Sequence, residues 1–463
     1  MKHWLAIIAL GLLVGCARFH SQPISPEQTA ASLDSRSLDN PALKAFLEGS
    51  LHRELTNWPA VSWDLDLLTL AAFYYHPSLE LARAHWAVAQ GGEITAGQRP
   101  NPVLNVTPGY NATTFAPSPW LPLGYLDIPI ETAGKRSHRR AQAAQLSTAA
   151  RLNVAMAAWQ VRSNLRASLL DLAAADQRAA LLQDPIALQE QIVQRLDQQV
   201  QAGAIASSEA ATFRIALAKA RLDLAEAQRL SADARARVAE AIGVPLRAVE
   251  GLKAPVYPDI SPKLASELTS SEVRRAALQS RPDILAALAE YAASQAALQL
   301  EIAKQYPDVH LQPGYQYDQG DSKWTLGLTV ELPVLHQNQG PIAEASARRR
   351  EAAARFISLQ AKVMADIDRA VAVFQISETN SVALRSLAEE LARRTESVSA
   401  QFRAGAADQL DLLSAQLESA SARLVQLDGQ MKLQQAVGAL EDAVQRPINL
   451  PDAVFQSEPG GAH

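Results

Sequence analysis

Two periodicities alternate along this chain. From Asp308 the polar positions Asp308, His310, Gln312, Gly314 and Gln316 alternate with Val309, Leu311, Pro313, Tyr315 and Tyr317. After a turn at Gln319-Gly320-Asp321, the residues Trp324, Leu326, Leu328, Val330, Leu332 and Val334 alternate with Thr325, Gly327, Thr329 and Glu331. A period of two over that length predicts a strand hairpin, about 307–335, with one apolar and one polar face. A fainter hairpin, about 102–131, puts Leu104, Val106, Pro108 and Tyr110 on one face of its first strand. Its second strand does the same with Trp120, Pro122, Leu126, Ile128 and Ile130. Prolines and Gly124 weaken that second strand as a ladder member.

The remainder carries a helical pattern. Segments 134–201 and 342–403 are nearly free of glycine and proline apart from Asp184-Pro185, and at ~1.5 Å per residue each approaches ~100 Å. Each ends at a glycine, Gly203 or Gly405, the residue that a left-handed helix terminus prefers. Return helices follow at 207–242 and 409–445, and helices 65–98 and 271–306 lead into the hairpins. Leu188, Ile192, Leu196 and Val200 step by four, as a seam between antiparallel helices requires. The short helices 207–242 and 271–306 together match 134–201 in length, which predicts that they stack end to end beside it; 65–98 and 409–445 form a second such pair.

The chain is written twice. A shift of 205 carries Pro77 onto Pro282, Pro102 onto Pro307 and Pro108-Gly109-Tyr110 onto Pro313-Gly314-Tyr315. It becomes 204 for Trp120 and Trp324, then 202 for Ala202-Gly203-Ala204 and Ala404-Gly405-Ala406 and for Ala220-Arg221-Leu222 and Ala422-Arg423-Leu424. A shift that falls in small ordered steps is the mark of a duplicated module. The chain therefore divides into an N-terminal segment and collar 16–64, a first repeat 65–242, a linker 243–270, a second repeat 271–446 and a tail 447–463. The leftover segments are rich in Pro, Ser and Asp and are expected to form an irregular collar around the middle of the helices.

Composition narrows the function. Apolar residues make up 48% but aromatics only 5%, and the net charge is −5, which fits long helices and gives nucleic acid no basic patch to bind. One cysteine excludes a disulfide framework or a multi-thiolate metal site. The histidines show no i, i+4 pair, and no catalytic triad spacing or phosphate-cradling glycine loop is present, so neither an enzyme nor a cofactor is expected. At the N-terminus, Lys2 and His3 precede an apolar run from Trp4 to Val14, too short to span a bilayer but typical of a secretory signal, 1–15. Leu13-Val14-Gly15-Cys16 resembles the lipobox of bacterial lipoproteins. That resemblance implies cleavage before Cys16, acylation of its thiol and, with Ala17 following, an outer-membrane address.

Four strands cannot close a barrel, and open edges are not tolerated in lipid. Other copies must complete them: two copies give eight strands and a filled barrel, three give twelve and a lumen. Asp308, His310, Gln312, Thr325, Thr329 and Glu331 would then face water, with Trp120, Trp324, Tyr110 and Tyr315 anchoring the rims as an aromatic girdle. Lipobox, duplicated hairpins, long helices and glycine-marked turns together resemble the TolC-like outer-membrane efflux protein family over about Leu65–Pro447. The segment Pro129-Ile130-Glu131-Thr132-Ala133-Gly134-Lys135-Arg136, with Arg139, is similar to a signature of members serving heavy-metal efflux. The family resemblance implies a mainly α fold with a β-barrel part. Specifically, it implies a homotrimer with a twelve-stranded outer-membrane barrel continued by a twelve-helix periplasmic tunnel. It also implies docking to a periplasmic adaptor and an inner-membrane pump, expected to be of the RND type. In such a duct Ala202, Gly203 and Ala204, with Ile205, and Ala404, Gly405 and Ala406 are the adaptor-docking tips.

Gln409-Leu410-Asp411-Leu412-Leu413-Ser414 resembles the family segment whose aspartates ring the closed entrance. Asp411 matches the first of them, Ser414 departs from the second, and the 202-residue shift brings Glu209 to the place of Asp411. A trimer would gather six carboxylates there and favour cations. The basic clusters Lys135-Arg136, Arg139-Arg140 and Arg348-Arg349-Arg350 open both long helices and are read as solvated faces or as contacts to lipid head groups. The expected function is a passive exit duct for metal cations or drugs. Type I protein secretion and a non-conducting lipid-anchored coiled-coil scaffold are the alternatives.

Overall fold

The computed structural model describes residues 19–60, 62–113, 118–255 and 270–445. Cys16 and the tail 447–463 lie outside them, as does the linker segment 256–269. Two short helices come first, α1 (Pro26–Asp34) and α2 (Pro41–Leu51). Each begins with proline at its first position behind a side chain, Ser25 or Asn40, that accepts a backbone N–H of the first turn, the usual start signal for a helix. The collar is thus partly helical where an irregular segment was expected.

The first repeat runs α3 (Leu65–Tyr75), α4 (Pro77–Gly97), β1 (Val103–Thr107), β2 (Leu123–Ile130), α5 (Lys135–Leu181), α6 (Gln183–Gln201) and α7 (Ser207–Ile242). The second runs α8 (Ser271–Ser280), α9 (Pro282–Ala303), β3 (Val309–Asp318), β4 (Asp321–Val330), α10 (Gln339–Arg403) and α11 (Gln409–Val444). The helices expected over 65–98 and 271–306 are each two. His76 and Arg281 adopt extended angles, ψ 123° and 130°, because the ring of a following proline crowds the helical conformation. Pro77 and Pro282 then open new helices. The break recurs at repeat-related positions.

Pro185 interrupts the first outgoing helix for a different reason. It cannot donate to the carbonyl four residues earlier, and α5 gives way to α6 at Leu182. In the second repeat no proline follows the first turn, and α10 runs unbroken for 65 residues, about 98 Å.

As the lengths suggested, α9 and α7 both pack along α5. The α9 helix lies near the sheet, and α7 lies lower, where Ser231 and Arg237 reach Asp176 and Asp171. The α4 helix also lies along α5, and α11 returns along α10.

The main core sits at the equator of the helices. Leu43 and Leu47 of α2, Leu68, Leu70 and Ala71 of α3, Leu165, Leu169 and Leu172 of α5, and Val238 and Ile242 of α7 are buried together. Each such leucine contributes roughly 2 kcal/mol on burial, so the collar is fastened by packing. Arg36 adds a clasp, donating to the Tyr75 and Gly243 carbonyls at 2.7 and 2.8 Å, where α3 and α7 leave acceptors unpaired. A second cluster, with Ile284, Val363, Ile367, Phe374 and Leu440, serves the second repeat.

The strands form one antiparallel sheet in the order β1-β2-β3-β4. The second hairpin turns tightly on Gln319 and Gly320, both at positive φ. β4 stops at Val330, short of the predicted Val334, as the chain leaves through Leu332-Pro333. In the first hairpin the ladder ends at Thr107, and beyond it, among the described residues, Tyr110 bridges to Trp120.

Candidate functional site

The sheet has one apolar face, and it is bare. The register aligns Leu104 with Leu126, Ile128 with Leu311, Leu311 with Leu328 and Pro313 with Leu326, so one continuous apolar row crosses all four strands. Leu104, Val106, Trp324, Leu326 and Leu328 on it are exposed, Trp324 at 82%. The predicted girdle residues are cross-strand pairs: Tyr110 meets Trp120 with ring centroids 5.1 Å apart, and Tyr315 meets Trp324 at 5.0 Å.

The opposite face carries His310, Gln312, Thr325 and Thr329, as expected, and also Asp127, whose Oδ1 lies 2.9 Å from His310 Nδ1. Within the chain β1 and β4 each have one unpaired edge. A ten-residue strand tilted as barrel strands are spans about 25 Å, the height of an apolar membrane band.

Beneath the sheet, the motif 129–139 builds an elbow. Ala133 and Gly134 both take positive φ, 53° and 71°, which turns β2 into α5 within two residues. Glu131, Thr132, Lys135, Arg136 and Arg139 of the motif are all engaged. Thr132 Oγ1 donates to the Pro307 carbonyl at 2.6 Å, and its amide donates to Asp308 Oδ1 at 2.9 Å. Lys135 Nζ donates to the same oxygen at 2.7 Å. Arg136 donates to the Gly97 carbonyl at 2.7 Å, and Arg139 forks onto Glu131.

Two expectations fail here. Lys135 is buried and Arg136 and Arg139 are bound within the chain, so three of the four residues of this cluster are not a free solvated face, and Arg140 is its exposed member. Asp308 is consumed as the anchor of the elbow and does not line the polar face. The second cluster stays on the surface, where Arg348 pairs with Glu344 one turn away.

At the far end, both hairpin tips close identically. Gly203 and Gly405 adopt φ of 71° and 74°. Ala204 N–H donates to the Gln199 carbonyl and Gly203 N–H to that of Val200; Ala406 and Gly405 repeat this on Gln401 and Phe402. This is the double hydrogen bond of a Schellman terminus. Ala202, Gly203, Ala204, Ala404, Gly405 and Ala406 are all exposed, whereas Ile205 packs against a cluster with Ile192, Leu196, Ala210 and Leu413. The stepping residues Leu188, Ile192, Leu196 and Val200 all belong to this cluster, which holds the two tips side by side.

Glu209 and Asp411 both stand in the first turn of a return helix. Asp411 is part of a capping box: its amide donates to Asp408 Oδ1 at 2.8 Å, and its carboxylate accepts from the Asp408 amide at 3.1 Å. In the first repeat Ala206 stands at the cap, and Glu209 is exposed.

One constellation escaped the sequence reading. Arg162 of α5, 1% exposed, donates to both Glu441 oxygens. Arg166 donates to Glu441, to Asp442 at 2.6 Å and to the Gly438 carbonyl at 2.7 Å. Trp159 and Ser163 donate to Asp442 as well. Gly438 leaves room for this guanidinium: a Cβ there would lie 2.7 Å from Arg166 Nε, so the arginine would have to shift from its carboxylates. Burial raises the carboxyl of Asp66, on the neighbouring α3, above its usual range, with Asp64 adding to this and Arg162 opposing it. The signal was an i, i+4 arginine pair set against an adjacent Glu-Asp, 279 residues away in the chain and invisible to local pattern.

No helix among the described residues is long and apolar enough to cross a membrane, and no cluster of three or more His, Cys, Asp or Glu fit to hold a metal ion occurs among them.

Comparison with known proteins agrees with this architecture. Residues 273–444 match the family described as outer membrane efflux protein. The cobalt-zinc-cadmium resistance protein CzcC of Cupriavidus metallidurans is 24% identical over 340 residues, 72% of this chain and 78% of that protein. Among solved structures, the outer-membrane channel OprN superposes with a TM-score of 0.66 at 18% identity, covering 93% of this chain and 98% of its own. The CmeC outer membrane channel of Campylobacter jejuni gives 0.66 at 16% identity, covering 93% and 94%.

Proposed function

We propose that the chain is an outer-membrane efflux channel and the exit duct for divalent metal cations: residues 273–444 match the outer membrane efflux protein family, and the backbone has the fold of solved outer-membrane channels. The observation that carries the duct is the open sheet. Within the chain, β2 of the first repeat pairs with β3 of the second. By the internal repeat, β4 relates to the next subunit's β1 as β2 relates to β3. Three chains joined in this way close twelve strands, bury every edge and turn the bare apolar row toward lipid.

The helices carry the same logic. Leu417 of α11 is half-buried in the tip cluster, but its repeat counterpart on α7, Ile215, is 70% exposed. Likewise Leu222 is 70% exposed and Leu424 half-buried. A neighbouring subunit's α10, whose Ile376 and Val382 are exposed, supplies the missing cover.

Acylation of Cys16 tethers each subunit to the membrane. The small-residue tips receive a periplasmic adaptor, and an inner-membrane pump of the RND type supplies the energy that a passive tube lacks. At the entrance Glu209 and Asp411 form a cation-favouring ring. The relative named for cobalt, zinc and cadmium resistance supports metal cargo. Deleting the gene and plating on cobalt, zinc, cadmium and a drug panel tests this. Sensitivity to the metals supports the reading, and sensitivity confined to drugs rejects the cargo while leaving the duct.

A further inference from the structure

The polar face of the sheet holds one side-chain arrangement that a water-filled tube does not need. Pro129 pairs with His310 and Ile128 with Leu311, so Asp127 lies one diagonal step from His310 on the same face. Asp127 Oδ1 is 2.9 Å from His310 Nδ1. With the ring neutral, that contact makes Nδ1 the protonated nitrogen, donating to the carboxylate. Nε2 is left with its lone pair, and it has no hydrogen-bond partner among the described residues. A carboxylate behind an imidazole fixes the tautomer and the orientation of the ring, the support that metal-binding histidines ordinarily have.

From this geometry we infer that His310, oriented by Asp127, is a transit site for borderline divalent cations such as Zn²⁺ on the lumen wall. The inference rests on the duct reading. One protein nitrogen completed by water is far from the closed shell of a structural zinc site, and this suits passage, because a conducted ion must bind weakly enough to leave.

The surroundings favour a cation. Opposite His310, Thr329 donates to Gln312 Oε1 at 3.2 Å, and Asp308, two residues before the histidine, adds a carboxylate that interacts with it and is itself held by Lys135. The lysine on this face, Lys323, is tied to Asp318 at 2.6 Å, which leaves the Asp127 carboxylate without a neutralising cation of its own. The imidazole sets the preference: Zn²⁺ and its first-row neighbours take nitrogen, whereas Mg²⁺ keeps water and oxygen.

The repeat also fixes the number of sites. The counterparts of His310 and Asp127 are Asn105 and Glu331, on and just beyond the edge strands that meet only between subunits, and asparagine offers no imidazole. The trimer therefore carries three such sites, one per subunit.

Single-channel recording of the full-length acylated protein in planar bilayers tests this, with zinc chloride added to one chamber and magnesium chloride as the control. The expected result is a concentration-dependent, reversible reduction of open-channel current by zinc that magnesium does not reproduce. His310→Gln should keep the conductance and lose the zinc effect, and Asp127→Asn should weaken it about tenfold or more. Conduction in which zinc and magnesium act alike, or a zinc effect surviving in His310→Gln, overturns the site and leaves the duct standing. Wild-type protein that forms no channel overturns the duct and the site with it.

Discussion

Lys135 Nζ lies 2.7 Å from Asp308 Oδ1, a contact that joins the first residue of α5 to the residue that leads into β3. It ties the exit of one repeat's hairpin to the start of the other's, at the point where sheet gives way to helices. Asp308 also accepts the Thr132 amide, so one carboxylate holds the elbow from two sides.

Removing that carboxylate should loosen the elbow. Asp308→Asn leaves a nearly buried ammonium without its counter-charge. Because the Asp308 side chain is itself about a third exposed, the cost is set at roughly 1–2 kcal/mol, below that of a fully buried pair. The effect depends on pH. Burial alone would raise the Asp308 carboxyl, but hydrogen bonds from Lys135 and the Thr132 amide, with the Lys135 charge, outweigh it and hold it below its ordinary value. A carboxyl depressed in the folded state contributes stability above its unfolded pKa, and this is lost as the pH falls through the folded one. Thermal melting of wild type and variant should therefore differ at neutral pH and converge in acid, below about pH 4.

The buried network predicts a sharp asymmetry. Glu441→Ala strands the 1%-exposed Arg162 and should cost about 3–5 kcal/mol in denaturant unfolding. Arg162→Met combined with Glu441→Leu removes both charges and leaves Arg166 on Asp442, so more than half of that loss should return.

The exposed leucine of α7 separates folding from assembly. Leu222→Glu places a charge where the neighbouring subunit docks, and within the chain its side chain is solvent-exposed. Circular dichroism should stay helical while the trimer fails to form in size-exclusion chromatography with light scattering. The same change at Leu424, which is half-buried against its own chain, should disturb folding itself.

Charge at the entrance can be removed without damaging the helices. Asp411→Ala would also break the capping box, at about 1 kcal/mol. Asp411→Asn with Glu209→Gln keeps an acceptor for the Asp408 amide and removes six charges per trimer. Reversal potentials across a salt gradient should lose cation preference in that double variant; an unchanged potential rejects the ring.

Much of this was legible in the sequence because it is periodic or repeated. The alternation over 309–330 places every β3–β4 contact on its proper face, and the ordered shift locates both tips from their glycines. The breaks before Pro77 and Pro282 are local chemistry that a helical period overlooks: the pattern continues through them while the backbone does not. The roles of Asp308 and Lys135 were misread because alternation reports which face a residue shares, not which partner 173 residues away consumes it. The Arg162–Glu441 network and the Asp127–His310 pair are tertiary in the same sense. Each joins the first repeat to the second, and neither half signals the other.

The four strands of each chain find closure only among three copies. Light scattering of the purified protein in detergent, with conductance of the same particle in planar bilayers, addresses this directly. The expected result is a particle of three chains that opens a long-lived, ohmic pore. A stable one-chain particle that stays soluble without detergent and passes no current would contradict it.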